Sequence, residues 1–245
     1  MTLHIKKLTL GSVNIFSAMI KRAKKIKRVI PLLTLFLLYS CATKDIQDQK
    51  QSNAQTIPII IASVDDWTER KFAGSTAYSL KTIKGKQALS ANSNASASML
   101  YKKVKIDLRK TPYLNWQWLI DNTITAEDGE QSRKGDDFPA RVYIAIKPAL
   151  LEIKPRALTY VWASTSPQFA SWKNPYTNNV AMLALQSGKQ KSQQWISEKR
   201  NLKQDLEQAF GEPVDFIEGI AVMSDSDNTK TTTNAAFSDL FFSVD

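Results

Sequence analysis

The sequence predicts a mainly all-β protein, folded as a single jelly-roll-like β-sandwich with one short helix. From Ile57 onward, apolar residues mostly alternate with polar ones, which is the period of a strand with one buried face. About ten such runs are separated by turn residues and are not interleaved with helices, which favours two packed sheets. No repeat of about 20–50 residues is visible, which argues against propellers and solenoids.

The alternation also assigns faces to the predicted strands. Val142, Ile144 and Ile146 should face the core, whereas Arg141 and Tyr143 should point the other way. The same parity places residues 116, 118 and 120 on one side of their strand. The predicted strands span residues 76–81, 87–91, 98–107, 113–121, 140–146, 159–163, 180–186, 195–199, 218–223 and 236–243.

One helix is predicted over residues 201–210. Apolar residues at 202, 206, 209 and 210 form a stripe at helical spacing. Asn201 and Gln204 make a plausible N-terminal cap pair, and Gly211 with Pro213 provides the stop signal.

The N-terminus predicts export. Six positive charges after Met19 precede the apolar run 29–39, which is shorter than the roughly 20 residues of a spanning helix. Residues 1–40 are therefore interpreted as a signal peptide. The charged segment, the apolar run and the small residue follow one another more closely after Met19 than after Met1. We therefore hypothesise that translation begins at Met19.

Leu38-Tyr39-Ser40-Cys41 resembles the lipobox of bacterial lipoproteins, in which the cysteine is acylated and becomes the new N-terminus. The resemblance implies a lipid anchor on Cys41, and Ala42 in place of Asp favours the outer membrane, facing the periplasm. Residues 41–56 are polar and form a flexible tether, followed by the β-sandwich domain at 57–245. The alternatives are an ordinary signal peptide with an incidental cysteine and an uncleaved anchor.

Composition excludes several function classes. The formal charge is +10, but residues 1–40 hold eight of the 33 basic residues and no acid, so only 25 basic and 23 acidic residues remain. A groove that binds phosphates would leave a clear excess of positive charge in the globular part. Because that excess is only two charges, no nucleic-acid partner is expected. The only His is His4 and the only Cys is Cys41, which leaves the globular part without imidazole or thiol catalysis, His or Cys metal ligands, or a disulfide.

Several segments stand out across roughly residues 65–243: GDDFPARVY at 135–143, NPYT at 174–177, ALQSG at 184–188, MSDSDNT at 223–229 and AFSDL at 236–240. In type and order they resemble one bacterial family of unestablished activity, named domain of unknown function 3047. The overall shape is expected to be similar to galactose-binding and carbohydrate-binding-module sandwiches, which is a fold analogy only.

The most suggestive polar group combines Asp136 and Asp137 with Arg141 and Tyr143. A planar guanidinium beside a phenol could bind a carboxylate or a pair of sugar hydroxyls. The alternative is that one Asp caps the turn and pairs with Arg141 inside the domain.

Three aromatic residues are candidate stacking platforms for a sugar. Trp172 and Tyr176 lie in a polar, loop-like stretch, and Trp162 shares a strand face with Tyr160. Such rings offer an apolar face with a polar edge. Their alternative role is to anchor loops and core.

Asp225, Asp227 and Asn228 concentrate oxygen donors in the loop after a strongly apolar strand. Calcium takes six to eight oxygens from such loops, so a structural calcium could bind there; no other cofactor is expected. The loop is not an EF-hand, and the alternative is a solvated turn.

These features favour a non-catalytic, lipid-anchored envelope protein that binds a glycan or another polar envelope ligand. The alternatives are a carboxylate-dependent glycan hydrolase or lyase and a scaffold for other envelope proteins. A paired-carboxylate enzyme needs two acids roughly 5–10 Å apart, and the spacing in this sequence singles out no such pair.

Overall fold

The computed structural model describes residues 56–59, 61–147 and 156–245. These residues belong to one compact unit, Ala54–Asp245. The other unit is Met1–Asn53, so the predicted signal peptide, the lipidation of Cys41 and nearly all of the tether lie outside the described residues. Within the described ranges, no helix has the length and apolar character needed to cross a membrane.

Thirteen strands, a 3-10 turn at Val64–Asp66 and one α-helix make up the described part of the fold. In chain order they are β1 (Thr56–Pro58), β2 (Thr68–Ala73), β3 (Ala77–Ile83), β4 (Lys86–Asn94), β5 (Ala97–Asp107), β6 (Tyr113–Ile120), β7 (Arg141–Ile146), β8 (Arg156–Ala163), β9 (Ser171–Lys173), β10 (Val180–Ser187), β11 (Ile196–Asn201), α1 (Leu202–Phe210), β12 (Phe216–Asp225) and β13 (Thr232–Ser243).

The strands form two sheets. Sheet 1 has the order β11-β6-β13-β4-β3, with β1 paired to the C-terminal end of β13, and all its pairs are antiparallel. Sheet 2 has the order β2-β5-β12-β7-β8-β10-β9, in which β8 and β10 are parallel and the other neighbours antiparallel. One buried cluster joins the inner faces of both sheets, so the fold is the predicted jelly-roll-like β-sandwich.

Four aromatic rings hold the two sheets together. Trp116 and Trp118 of sheet 1 face Tyr160 and Trp162 of sheet 2, with ring centroids 5.3 Å apart for Trp116–Tyr160 and 5.8 Å apart for Trp118–Trp162. All four side chains are buried, and such pairs contribute beyond their buried area. The prediction that Trp162 stacks on a ligand is therefore wrong, because the face it shares with Tyr160 is the inner face.

The local signals for the helix are confirmed. The Asn201 side chain accepts a hydrogen bond from the backbone N–H of Gln204 at 3.2 Å, which satisfies an otherwise free donor of the first turn. Gly211 ends the helix in the left-handed conformation, with φ of 74°. Leu202 and Leu206 are buried against the core.

The predicted faces of β7 are also confirmed, since Val142, Ile144 and Ile146 are all buried in the main core. By contrast, β2 was not predicted. Its residues are almost all exposed because it is the edge strand of sheet 2, so its sequence, TERKFA, carries no alternation. This strand matters because it forms one wall of the cleft described next.

Candidate functional site

The outer face of sheet 2 carries an open cleft of about 1020 Å³. It runs across β2, β5, β12, β7 and β8, with residues of the 174–180 segment and the 227–228 loop at its rim. A cleft of this kind on a rigid sheet is a default position for a binding site.

The centre of the cleft floor is built from one row of residues on adjacent strands. Tyr101 of β5 lies opposite Ala221 of β12, which in turn lies opposite Tyr143 of β7. Because neighbouring strands are about 4.8 Å apart, the two tyrosines stand roughly 10 Å apart on either side of the small alanine. Both tyrosines are half-buried and line the cleft.

The neighbouring row of the cleft floor consists mostly of residues with small side chains. Lys103, Gly219, Ala145 and Ala157 lie opposite one another in that order across four strands. Gly219 has its backbone close to β5, since a Cβ there would lie 3.2 Å from the carbonyl oxygen of Lys102. Small residues in the middle of the sheet thus leave room above them for a ligand.

Arg141 lies at one end of this floor and is bound by two acids. Its Nε donates to Asp225 Oδ1 at 2.7 Å, and Nη2 donates to the second oxygen of the same carboxylate. Nη1 lies 3.4 Å from Asp136 Oδ1, and the guanidinium is 4.6 Å from the ring centre of Phe138. Only 2% of Arg141 is exposed, so the expectation of an accessible guanidinium is wrong.

Burial sets the electrostatics of this group. It raises the pKa of Asp225 to about 8, although Arg141 acts to lower it. Burial also raises the pKa of Asp136. Burial disfavours the charged form of Arg141, but Asp136 and Asp225 together raise its pKa well above the ordinary value. Desolvation raises the pKa of the Tyr143 phenol, whose oxygen lies 3.4 Å from Arg141 Nη1.

Asp137 fixes the loop after β12. Its oxygens accept hydrogen bonds from the backbone N–H of Asn228 at 3.2 Å, from the N–H of Thr229 at 2.6 Å and from the Thr229 hydroxyl at 2.7 Å. Asp137 is buried, with 1% of its surface exposed, so it does not reach a ligand. The prediction that it binds ligand is replaced by the alternative, a carboxylate that caps a turn.

The predicted calcium ligands partly converge. Carboxylate oxygens of Asp137, Asp225 and Asp227 lie within 4.8 Å of one another. However, Arg141 occupies both oxygens of Asp225, and Asn228 donates its amide N–H to Asp137 at 3.1 Å. A calcium ion at Asp225, Asp227 and Asn228 stays a prediction.

Tyr176 lies at the cleft rim. It is 52% exposed, and its hydroxyl oxygen lies 3.0 Å from Asn228 Oδ1 and 2.7 Å from the carbonyl oxygen of Arg133. Asn174 Nδ2 donates a hydrogen bond to Asp136 Oδ2 at 3.1 Å. Trp172 instead stacks on Phe138, with centroids 6.1 Å apart, and is not among the residues that line the cleft.

The structure therefore places four of the predicted residues, Arg141, Tyr143, Asp136 and Tyr176, along one cleft, whereas Asp137, Trp162 and Trp172 do not line it. Ligand binding at this cleft stays a prediction. The structure adds Tyr101, which sequence reasoning missed. The alternation in β5 places Tyr101 on the same face as Met99, but only strand pairing shows that this face lines the cleft.

Several solved structures resemble this fold at low similarity. A family 11 carbohydrate-binding module of a cellulosomal cellulase from Clostridium thermocellum shares 7% identity over 78% of this chain and 95% of its own, with a TM-score of 0.42. A family 11 xylanase from Neocallimastix patriciarum shares 9% identity over 78% and 97%, with a TM-score of 0.41. The xyloglucanase domain of an effector from Sinorhizobium fredii shares 10% over 78% and 98%, also with 0.41. Such values carry no inference about ligand or activity.

No curated protein matches the chain. A family model does match, over residues 65–241, which is more than half of the 245 residues. This match confirms the resemblance seen in the sequence segments. The chain belongs to the family described as Protein of unknown function (DUF3047).

Proposed function

We propose that this is a non-catalytic binding protein of the cell envelope, which holds a glycan or another hydroxylated envelope ligand in the cleft of sheet 2. The observation that carries the proposal is the row Tyr101–Ala221–Tyr143. Two rings on either side of a small floor residue offer apolar faces to the C–H groups of a sugar and leave its hydroxyls free.

The polar groups at the rim support the same ligand class. Tyr176, Asn174 and Asn228 bring a phenol and two amides to the end of the cleft. A mainly apolar floor with a few orienting polar groups is the usual composition of a small-ligand site. The volume of about 1020 Å³ lies at the upper end of the range for small-ligand sites and leaves room for a short chain of linked sugar rings.

The arrangement of carboxylates favours binding over hydrolysis. Asp136 and Asp225 both bind Arg141 and are 5% and 2% exposed. Glu218, toward the other end of β12, is seven strand residues from Asp225, or roughly 23 Å. Glycosidases hold their two acids roughly 5–10 Å apart, so Glu218 and Asp225 are too far apart to form a working pair, and Asp136 and Asp225 are both engaged by Arg141.

A scaffold role has less support. The described residues with large exposed apolar side chains include Phe72 on β2, Leu80 on β3, Phe169 in the loop before β9 and Val244 after β13. They belong to both sheets and to two loops. A docking surface for another protein is expected to be a contiguous patch.

The anchoring part of the proposal is supported by the signal-like N-terminus and Cys41. Two or more acyl chains give stable membrane attachment, whereas one chain holds a protein only marginally. Cys41→Ser should prevent acylation and leave the precursor unprocessed by the lipoprotein signal peptidase, as seen by gel shift and membrane fractionation. Processing of that variant, with a wild type that salt washes from membranes, would contradict the anchor.

The binding part is tested by filling the floor. A glycan array with the full-length protein should identify a ligand, whose affinity is then measured by calorimetry. Ala221→Trp should abolish binding because the indole would occupy the space between the tyrosines, and Tyr101→Ala should weaken it without filling the cleft.

Ala77→Trp, at an exposed position of β3 in sheet 1, is the matched control and should bind normally. Thermal melts confirm that each variant is folded. An array without any bound glycan, or full affinity in both cleft variants, would refute the proposal.

A further inference from the structure

We propose that the ligand of this cleft is acidic, a hydroxylated chain bearing carboxylate, sulfate or phosphate groups; this inference rests on the proposed function. The observation behind it is the distribution of charge around the cleft. Arg70 of β2 and Lys103 of β5 both line it and are exposed. Neither forms an ion pair with any carboxylate in the described ranges.

Three other cations of the cleft have a carboxylate partner within the protein. Arg156 lies 2.5 Å from a carboxylate oxygen of Glu212, and Lys147 lies 3.8 Å from one of Glu218. Arg141 is held by Asp225 and Asp136, as described above. The positive charge that is free to meet a ligand therefore concentrates on the wall formed by β2 and β5.

Arg70 and Lys103 stand on either side of the tyrosine row. Arg70 lies opposite Met99, and Lys103 opposite Gly219, one row before and one row after Tyr101 along β5. A chain lying over Tyr101 would pass both groups. The Arg70 guanidinium is also 5.2 Å from the ring centre of Phe72, a contact that restrains its orientation.

The chemistry of the two side chains defines the ligand class. A guanidinium binds a carboxylate, sulfate or phosphate through two parallel hydrogen bonds, while an ammonium acts as a mobile point charge. The partly buried Asp227 lies in the loop after β12, at the Arg141 end of the cleft, and would repel an anion there. The acidic groups of the ligand are therefore directed away from that loop, toward the cations of the β2–β5 wall.

The test compares acidic and neutral chains of equal length on the full-length protein. The probes are cellohexaose, hexagalacturonate and the sulfated and phosphorylated forms of cellohexaose. At least one acidic probe should bind roughly tenfold more tightly than cellohexaose, the scale of one charge-assisted hydrogen bond. Its affinity should weaken between 50 and 500 mM salt, whereas that of the neutral chain should not; these concentrations bracket a Debye length of about 10 Å.

The double variant Arg70→Gln, Lys103→Gln should lose the preference for acidic chains and keep its affinity for cellohexaose. Lys81→Gln, Lys110→Gln removes the same charge from two exposed lysines outside the cleft and should retain the preference.

If the protein binds cellohexaose as tightly as every acidic probe, the inference fails while the proposed function stands. If the control variant loses the preference equally, the attraction comes from net charge, and the inference again fails. If no probe binds and the array is also empty, both fail.

Discussion

Removal of the Arg141 side chain should destabilise the domain severely. Asp225 is 2% exposed in the wild type. In Arg141→Ala it loses the guanidinium, and among the described residues it keeps one hydrogen-bond donor, the backbone N–H of Phe138, 3.3 Å from Oδ1. Breaking a buried ion pair in this way costs about 3–5 kcal/mol. For a domain of this size, about 1 kcal/mol shifts the melting temperature by roughly 2–4 °C, so a drop of roughly 6–20 °C is expected.

The effect should depend on pH. Burial raises the pKa of Asp225, and Arg141 acts to lower it. Loss of Arg141 removes the partner that favours ionisation. The penalty in Arg141→Ala should therefore be larger at pH 9, where the unpaired charge must stay buried, than at pH 6. Calorimetric melts at the two pH values measure it.

Arg109→Ala is a matched control on the surface. Arg109 also donates two hydrogen bonds to one carboxylate, that of Asp107, at 2.8 and 2.7 Å, and stacks 4.8 Å from the ring centre of Phe216. Its side chain is 53% exposed, so solvent screens the pair and the melting temperature should stay near that of the wild type. Arg141→Met combined with Asp225→Leu and Asp136→Asn should recover most of the lost stability, because replacing a whole buried ionic group by uncharged residues is often neutral. If Arg141→Ala melts no lower than Arg109→Ala, the buried ion pair contributes nothing to stability and the reasoning is refuted.

Three further predictions address single groups. The raised pKa of Asp225 means that the folded state binds its proton more tightly than the unfolded state, whose value is near 3.8, so unfolding free energy should fall as pH rises from about 4 to about 8. Asp225→Asn should reduce that slope, measured by urea unfolding, and an unchanged slope would contradict the assignment. Calcium at 1 mM should raise the melting temperature of the wild type but not of Asp227→Asn, and equal melts with calcium and with a chelator would exclude a structural calcium there. Asn201→Ala should cost about 0.5–2 kcal/mol through the lost cap bond, whereas Asn201→Asp should not, and identical unfolding of Asn201→Ala and wild type would show that the cap contributes nothing.

Local and periodic features could be predicted from the sequence. The alternation of Val142, Ile144 and Ile146 identified a buried strand face, because the side-chain period of a strand is two wherever the strand lies. The cap at Asn201 and the stop at Gly211 were predictable because both act on backbone groups within one turn of the helix. The absence of His and Cys from the globular part limits its chemistry whatever its shape.

The sequence alone did not reveal which side chains of an outward face are accessible. Arg141 faces outward from β7 as predicted, yet the Phe138 segment covers it and Asp225, 84 residues later, neutralises it. Parity likewise placed Tyr160 and Trp162 on one face, but the rings of sheet 1 make that face the interior.

The sequence by itself determined the β class, the helix ends, the family and the chemistry that the domain lacks. Tertiary structure decided where the cleft lies and what lines it. Tyr101, Ala221 and Tyr143 come from three strands that are distant in sequence, and they meet only through the register of sheet 2. The edge strand β2, which supplies Arg70, has no buried face and hence no periodic signal. Strand order and register arise from long-range pairing and packing, which a local period of two does not specify.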